Sequence, residues 1–152
     1  MTQRPTPRPL SDQAASDLLA TQQFGTLASV KAGGHPHLTT MLYRWDPAER
    51  TVRFSTTADR VKVRHLRRDP RAALHVQGPD PFSFAVAEGE AEVSEESAEP
   101  GDAVGQELLA MLPAEFRPAD PRQFLAEQVT ERRLVVRLRV HRLYGTALDV
   151  SP

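Results

Sequence analysis

Phe24-Gly-Thr-Leu-Ala-Ser-Val-Lys-Ala32, Gly33-Gly34, then His37-Leu-Thr-Thr-Met-Leu-Tyr-Arg-Trp45 reads as two strands joined by a glycine pair. A Gly-Gly step between apolar runs is a hairpin signal, because the tight turns that match strand twist need positive φ. The return run alternates, Leu38, Thr40 and Leu42 on one side and Thr39, Met41, Tyr43 and Trp45 on the other. Asp46-Pro47-Ala-Glu-Arg50 marks a second turn, and Val52 to Thr56 supplies a third strand. An antiparallel meander of this kind argues against a doubly wound parallel sheet.

Working outward, Ala72 to Gln77 reads as a fourth strand and Phe82 to Val93 as a long fifth. In the fifth, Phe82, Phe84 and Val86 share a face up to Gly89, and the apolar phase then passes to Ala91 and Val93. A β-bulge at the glycine would produce such a change. Arg133 to Tyr144 is the sixth strand, Leu134, Val136, Leu138 and Val140 alternating with Val135, Arg137, Arg139 and His141. Helices are expected from Ser11 to about Ala20, after Pro100-Gly101, and within Pro118 to Thr130. The fold class expected is mainly β: a six-stranded antiparallel barrel with short peripheral helices. Residues 1–10, rich in proline, are expected as a flexible arm, and residues 11–150 as one cofactor-binding domain.

Between the third and fourth strands lies Ser55-Thr-Thr-Ala-Asp-Arg-Val-Lys-Val-Arg-His-Leu-Arg-Arg-Asp-Pro-Arg71, a hydroxyl-rich turn followed by a basic helix. Asp59 is the expected N-cap. The first turn of a helix offers free N–H donors and partial positive charge, which suits a phosphate. Ser55, Thr56, Thr57, Arg60 and Lys62 stand around that point. Val63 and Leu66 would pin the helix to the core, leaving Arg64, Arg67, Arg68 and Arg71 in solvent. We read the hydroxyls with Arg60 and Lys62 as a site for the phosphate of a cofactor, with a merely solvated basic helix as the alternative.

Composition narrows the function classes. The 152 residues carry 26% charged and 39% hydrophobic side chains and a net charge near −1, which gives no global attraction to nucleic acid or anionic membranes. The basic helix lacks the interleaved aromatics of a nucleic-acid surface. Cysteine is absent, which excludes disulfides, thiolate metal sites and a cysteine nucleophile. No apolar run approaches membrane-spanning length and the start lacks a signal-peptide core, so a cytoplasmic location is expected. His35-Pro-His37 is too sparse for a metal site, and Glu88 to Glu96 lacks calcium-loop spacing.

This order of motifs resembles the pyridoxamine 5′-phosphate oxidase-like split β-barrel superfamily, and most closely its coenzyme F-420-dependent (deazaflavin) oxidoreductases of the B group. The resemblance covers about residues 12–146 and is most specific at Arg60 to Arg71, supported by Phe24-Gly-Thr-Leu-Ala28, Ala85-Val-Ala-Glu-Gly89 and His141-Arg-Leu-Tyr-Gly145. It implies a homodimer with the cofactor between barrels and a small unsaturated or quinone-like substrate. The ring would lie against Thr39, Thr40, Met41 and Leu42. The phosphate would meet Ser55, Thr56, Arg60, Val61 and Lys62, while Gln77 and Phe82 would approach from the partner. FMN in place of F-420, or a non-catalytic cofactor carrier, is the alternative. Two departures stand out: with seven residues after Gly145, the substrate-binding extension and the activity of the pyridoxine-phosphate oxidases proper are not expected, and position 65 is His where Asn is expected.

Overall fold

A computed structural model describes residues 4–149. The chain runs β1 (Thr6–Pro9), α1 (Asp12–Thr21), β2 (Phe24–Val30), β3 (Pro36–Leu42), β4 (Arg44–Asp46), β5 (Thr51–Thr57), α2 (Val61–Arg68), β6 (Arg71–Gln77), β7 (Phe84–Val93), α3 (Ala103–Ala110), a 3-10 turn (Ala114–Phe116), α4 (Arg122–Thr130) and β8 (Arg133–Asp149). Every ladder is antiparallel, in the order β3-β2-β6-β7-β8-β5-β4, with β1 added to β8.

The mainly-β, curled antiparallel architecture is that expected, with eight strands among the described residues in place of six. Two features account for the difference. The long run expected from His37 to Trp45 breaks at Tyr43, whose N–H donates to Gln23 O at 3.0 Å; the chain pairs with β2 before that point and with β5 after it. Within the proline-rich start, Thr6–Pro9 pair with Thr146–Asp149. Prolines are tolerated there because β1 is an edge strand.

The sheet closes on itself through the β3–β4 chain connection, not through a ladder. β3 pairs with β2 alone and lies beside β5 without pairing, so a split runs between them. Inside the curl the core is built from Leu27, Phe54, Leu74, Val76, Leu134 and Leu138, with Leu19 from α1 and Val63 and Leu66 from α2. Ser11 caps α1, its Oγ accepting from Ala14 N at 3.1 Å.

The long strands carry a correction. In β7 the core-facing residues are Ala85, Ala87, Ala91 and Val93 throughout, so the apolar phase does not flip at Gly89. Phe84 and Val86 face outward, where the sheet is also apolar. The register shift is real but the extra residue sits in β8: Gly89 pairs with Val140 and Glu88 with Arg142, leaving His141 bulged. Accordingly β8 presents Leu134 to Val140 inward at even positions and Leu143 and Gly145 at odd ones. A side chain at Gly89 would collide with the Arg139 carbonyl, which is why glycine sits there.

Candidate functional site

The split between β3 and β5 meets the start of α2, and the local chemistry follows from how that helix begins. The N-cap is Arg60, extended at φ −68 and ψ 142, with no side chain capping it and no acid in the first turn. Asp59, the expected cap, is turned away: its Oδ1 accepts from Thr57 Oγ1 at 2.6 Å. Its carboxyl is held below the usual range by that bond first and by nearby backbone and arginine charge after it. The start of α2 therefore keeps its N–H donors free of side-chain partners, between Arg60 and Lys62. Lys62 is half-buried, and burial, then the Arg60 charge, lowers its pKa from the ordinary value.

Strand alternation divides the three hydroxyls that the sequence places together. Thr56 is buried on the core side, whereas Ser55 and Thr57 are on the other face. Ser55 Oγ accepts from Arg133 Nη1 at 3.4 Å, and Thr57 is committed to Asp59. On β3, Thr39 and Met41 point inward and Thr40 and Leu42 outward, Leu42 with 54% of its surface exposed. Thr39 Oγ1 is buried without a hydrogen-bond partner, as is His37 Nδ1. Gln77 ends β6 opposite Phe84, and Phe82 is exposed in the following turn. Both belong to the Phe24–Leu42 end of the sheet, away from α2 within one chain.

His65 does not reach the surface. It is buried, edge-on to His37, with Ser29 Oγ 3.4 Å from its Nδ1. Burial lowers its pKa first, and the charges of His37, Arg68, Lys31 and Arg64 act the same way. Arg64, Arg67, Arg68 and Arg71 are exposed, and Arg68 donates to Val30 O at 2.9 Å. Among the described residues no cluster of three or more metal-ligating side chains occurs.

Sequence reasoning missed a cavity of about 580 Å³ that opens where the split ends. Leu42 and Ser55 form its side toward the split; Tyr43, Arg44 and Trp45 line its floor, and α3 and α4 cover it. Tyr43 donates from its hydroxyl to Leu19 O at 2.6 Å, and burial raises its pKa above the ordinary value. Both facts make it a poor proton donor. Spacing within the α3–α4 segment signalled two helices but not what they cover.

The pyridoxamine 5′-phosphate oxidase family model matches residues 11–147. The chain belongs to that family. Solved structures similar to this family member support the architecture. A conserved hypothetical protein from Mycobacterium tuberculosis is 24% identical, with TM-score 0.66, over 90% of this chain and 84% of that one. A protein titled F420 reductase is 24% identical, with TM-score 0.61, over 84% and 94%. A FAD-binding protein from Mesorhizobium loti is 17% identical, with TM-score 0.67, over 96% and 99%. At these identities the likeness is one of fold. No helix among the described residues is long and apolar enough to cross a membrane.

Proposed function

We propose that this member of the family is a coenzyme F-420-dependent reductase acting on a small unsaturated or quinone-like molecule. The observation that carries the reading is the uncapped start of α2, with Arg60 and Lys62 beside it and no acid in its first turn. A phosphate placed there meets backbone donors, a partial positive charge and two cations at once. The residues fit such a group: Arg60, the Val61 backbone and Lys62 hold the phosphate, and Ser55 adds a hydroxyl from the adjoining wall. Thr56 contributes through its backbone, since its side chain is buried.

The unpaired edge of β3, at Thr39 to Leu42, offers main-chain donors and acceptors to the polar rim of a planar ring. Reduced F-420, when bound, supplies the hydride. The chain's own part is orientation and exclusion of water, since positioning accounts for a large share of such rate gains. Arg60 and Lys62 are anchors, and solvent protonates the product.

A homodimer completes this reading. Phe24, Leu38 and Leu42 lie exposed on the outer face of β2 and β3, and half-buried Phe84 stands on the same face of β7. A sheet that is apolar on both faces needs a cover for the second. A partner copy there would bring its Gln77 and Phe82 toward the ring. FMN is the alternative cofactor, favoured by the likeness to a FAD-binding protein and by a phosphate site that both ligands would share.

The test is a fluorescence titration with F-420 and with FMN, in wild type and Lys62→Ala. Losing one charge-assisted phosphate contact should weaken binding by about 1–3 kcal/mol. Unchanged affinity removes Lys62 from the site, and preference for FMN in wild type decides for the alternative.

A further inference from the structure

The cavity beneath α3 and α4 has its own charge logic. Its volume, about 580 Å³, suits a small molecule. Leu19, Leu42, Leu108, Leu112 and Phe124 make most of the wall apolar. Three arginines also line it, and they differ in how they are matched. Arg53 pairs with Glu49 at 2.8 Å and Asp46 at 3.4 Å, and stands 3.7 Å from Glu107. Arg133 pairs with Glu131 at 2.7 Å.

Arg44 has no ion pair among the described residues. Its Nη1 donates to two backbone carbonyls at the end of α3, Met111 O at 3.3 Å and Leu112 O at 3.5 Å. These bonds are long, and one is redundant, because Leu112 O already accepts from Arg117 Nε at 3.0 Å. Arg44 can therefore turn to an anion while that carbonyl stays satisfied. Both bonds are then given up, but only the Met111 carbonyl loses its side-chain donor.

We propose that this cavity is the acceptor-substrate site and that it takes an apolar, ring-bearing molecule with one anionic group, whose charge Arg44 reads. Leu42 and Ser55 belong both to the cavity and to the split, so a molecule seated here lies beside the ring expected along β3. The assignment as acceptor site rests on the deazaflavin reading above. The ligand class rests on the cavity alone.

Trp45, the chain's single tryptophan, lines the cavity and provides the readout. Energy transfer from Trp45 is measured to anilinonaphthalene sulfonate and to its uncharged counterpart N-phenylnaphthylamine, in the full chain. Wild type should bind both, the sulfonate more tightly. Arg44→Met, which keeps the apolar stem, should weaken the sulfonate about tenfold while leaving the uncharged probe within about twofold. Ala20→Phe, at the cavity mouth, should weaken both. Unchanged sulfonate binding in Arg44→Met, or unchanged binding of both probes in Ala20→Phe, overturns the ligand class and the site respectively. Equilibrium dialysis with saturating F-420 separates the remaining readings. Retention of the sulfonate supports an acceptor site, and displacement assigns the cavity to the cofactor instead. Failure of F-420 to bind wild type would sink the proposed function while leaving the probe results to stand on their own.

Discussion

The imidazole of His65 on α2 meets that of His37 on β3 edge to face, centroids 5.0 Å apart and planes at 74°. Helix α2 and the split-side strand β3 touch through this pair. His65 titrates below its ordinary 6.5, because burial and then neighbouring positive charge penalise the imidazolium. The folded protein therefore binds fewer protons than the unfolded chain just below pH 6.5. Stability is fully present above that value and falls as the pH drops through it. His65→Asn should flatten this fall, measured as the change in Tm between neutral pH and about pH 5. Identical slopes in wild type and variant would show that His65 does not carry the acid dependence of stability.

Gly89 opposite Val140 fixes the step at which β8 changes the face it turns inward. The Arg139 carbonyl occupies the place of a side chain, and the other nearest atoms, Arg139 C and Val140 Cα, are backbone as well, which leaves nothing soft to yield. Gly89→Ala should destabilise the fold by more than about 2 kcal/mol. The check is a lower urea midpoint at unchanged m. A midpoint within error of wild type would mean that the β7–β8 ladder is more pliable than its register implies.

Asp102 holds the start of α3, and with it one wall of the cavity. Its carboxylate accepts from Gly105 N, Ala98 N and Ser97 Oγ at 2.8–2.9 Å and from Glu99 N at 3.2 Å. Burial alone would raise its pKa, but these donors outweigh it and bring the group to about 2. Its contribution is present above the ordinary 3.8 and disappears as the pH falls from there toward 2. Asp102→Ala should lower stability at neutral pH by about 1–2 kcal/mol, and the deficit should shrink in acid. Urea melts at neutral and acid pH check both parts. A deficit independent of pH would assign the effect to packing instead of the cap.

What the sequence disclosed, and what it hid, divide along physical lines. The Gly33-Gly34 hairpin, the Ser11 cap and the even-numbered face of β8 were legible because each is set by residues close in the chain. The orientation of β7 was not. Phe84 and Val86 are larger and more apolar than Ala85 and Ala87, so size and hydropathy along the strand point to the wrong face, yet the small residues are the ones in the core. At the site, the basic first turn of α2 was readable, but the partner of Asp59 was not, because an adjacent threonine competed for its carboxylate. The cavity needed α3 and α4 to fold back over Arg44 and Trp45, contacts of long sequence separation that no local pattern carries.

Lys62 gives the phosphate reading a pH signature of its own. Burial, and then Arg60, depress its pKa below 10.5, so its ammonium is lost earlier than that of a free lysine. A phosphate group binds the charged form. Affinity for F-420 should therefore begin to fall, as the pH rises, at a value below 10.5. Lys62→Arg keeps a positive charge over the whole range, since guanidinium titrates above pH 12. That variant should hold a flat profile through the interval where wild type weakens, although its fork geometry changes the absolute affinity. Any titration of the cofactor or of other groups is common to both proteins and cancels in the comparison. Parallel profiles would place the Lys62 ammonium outside the phosphate site even if Lys62→Ala weakened binding, because a structural role at the start of α2 would not depend on that charge.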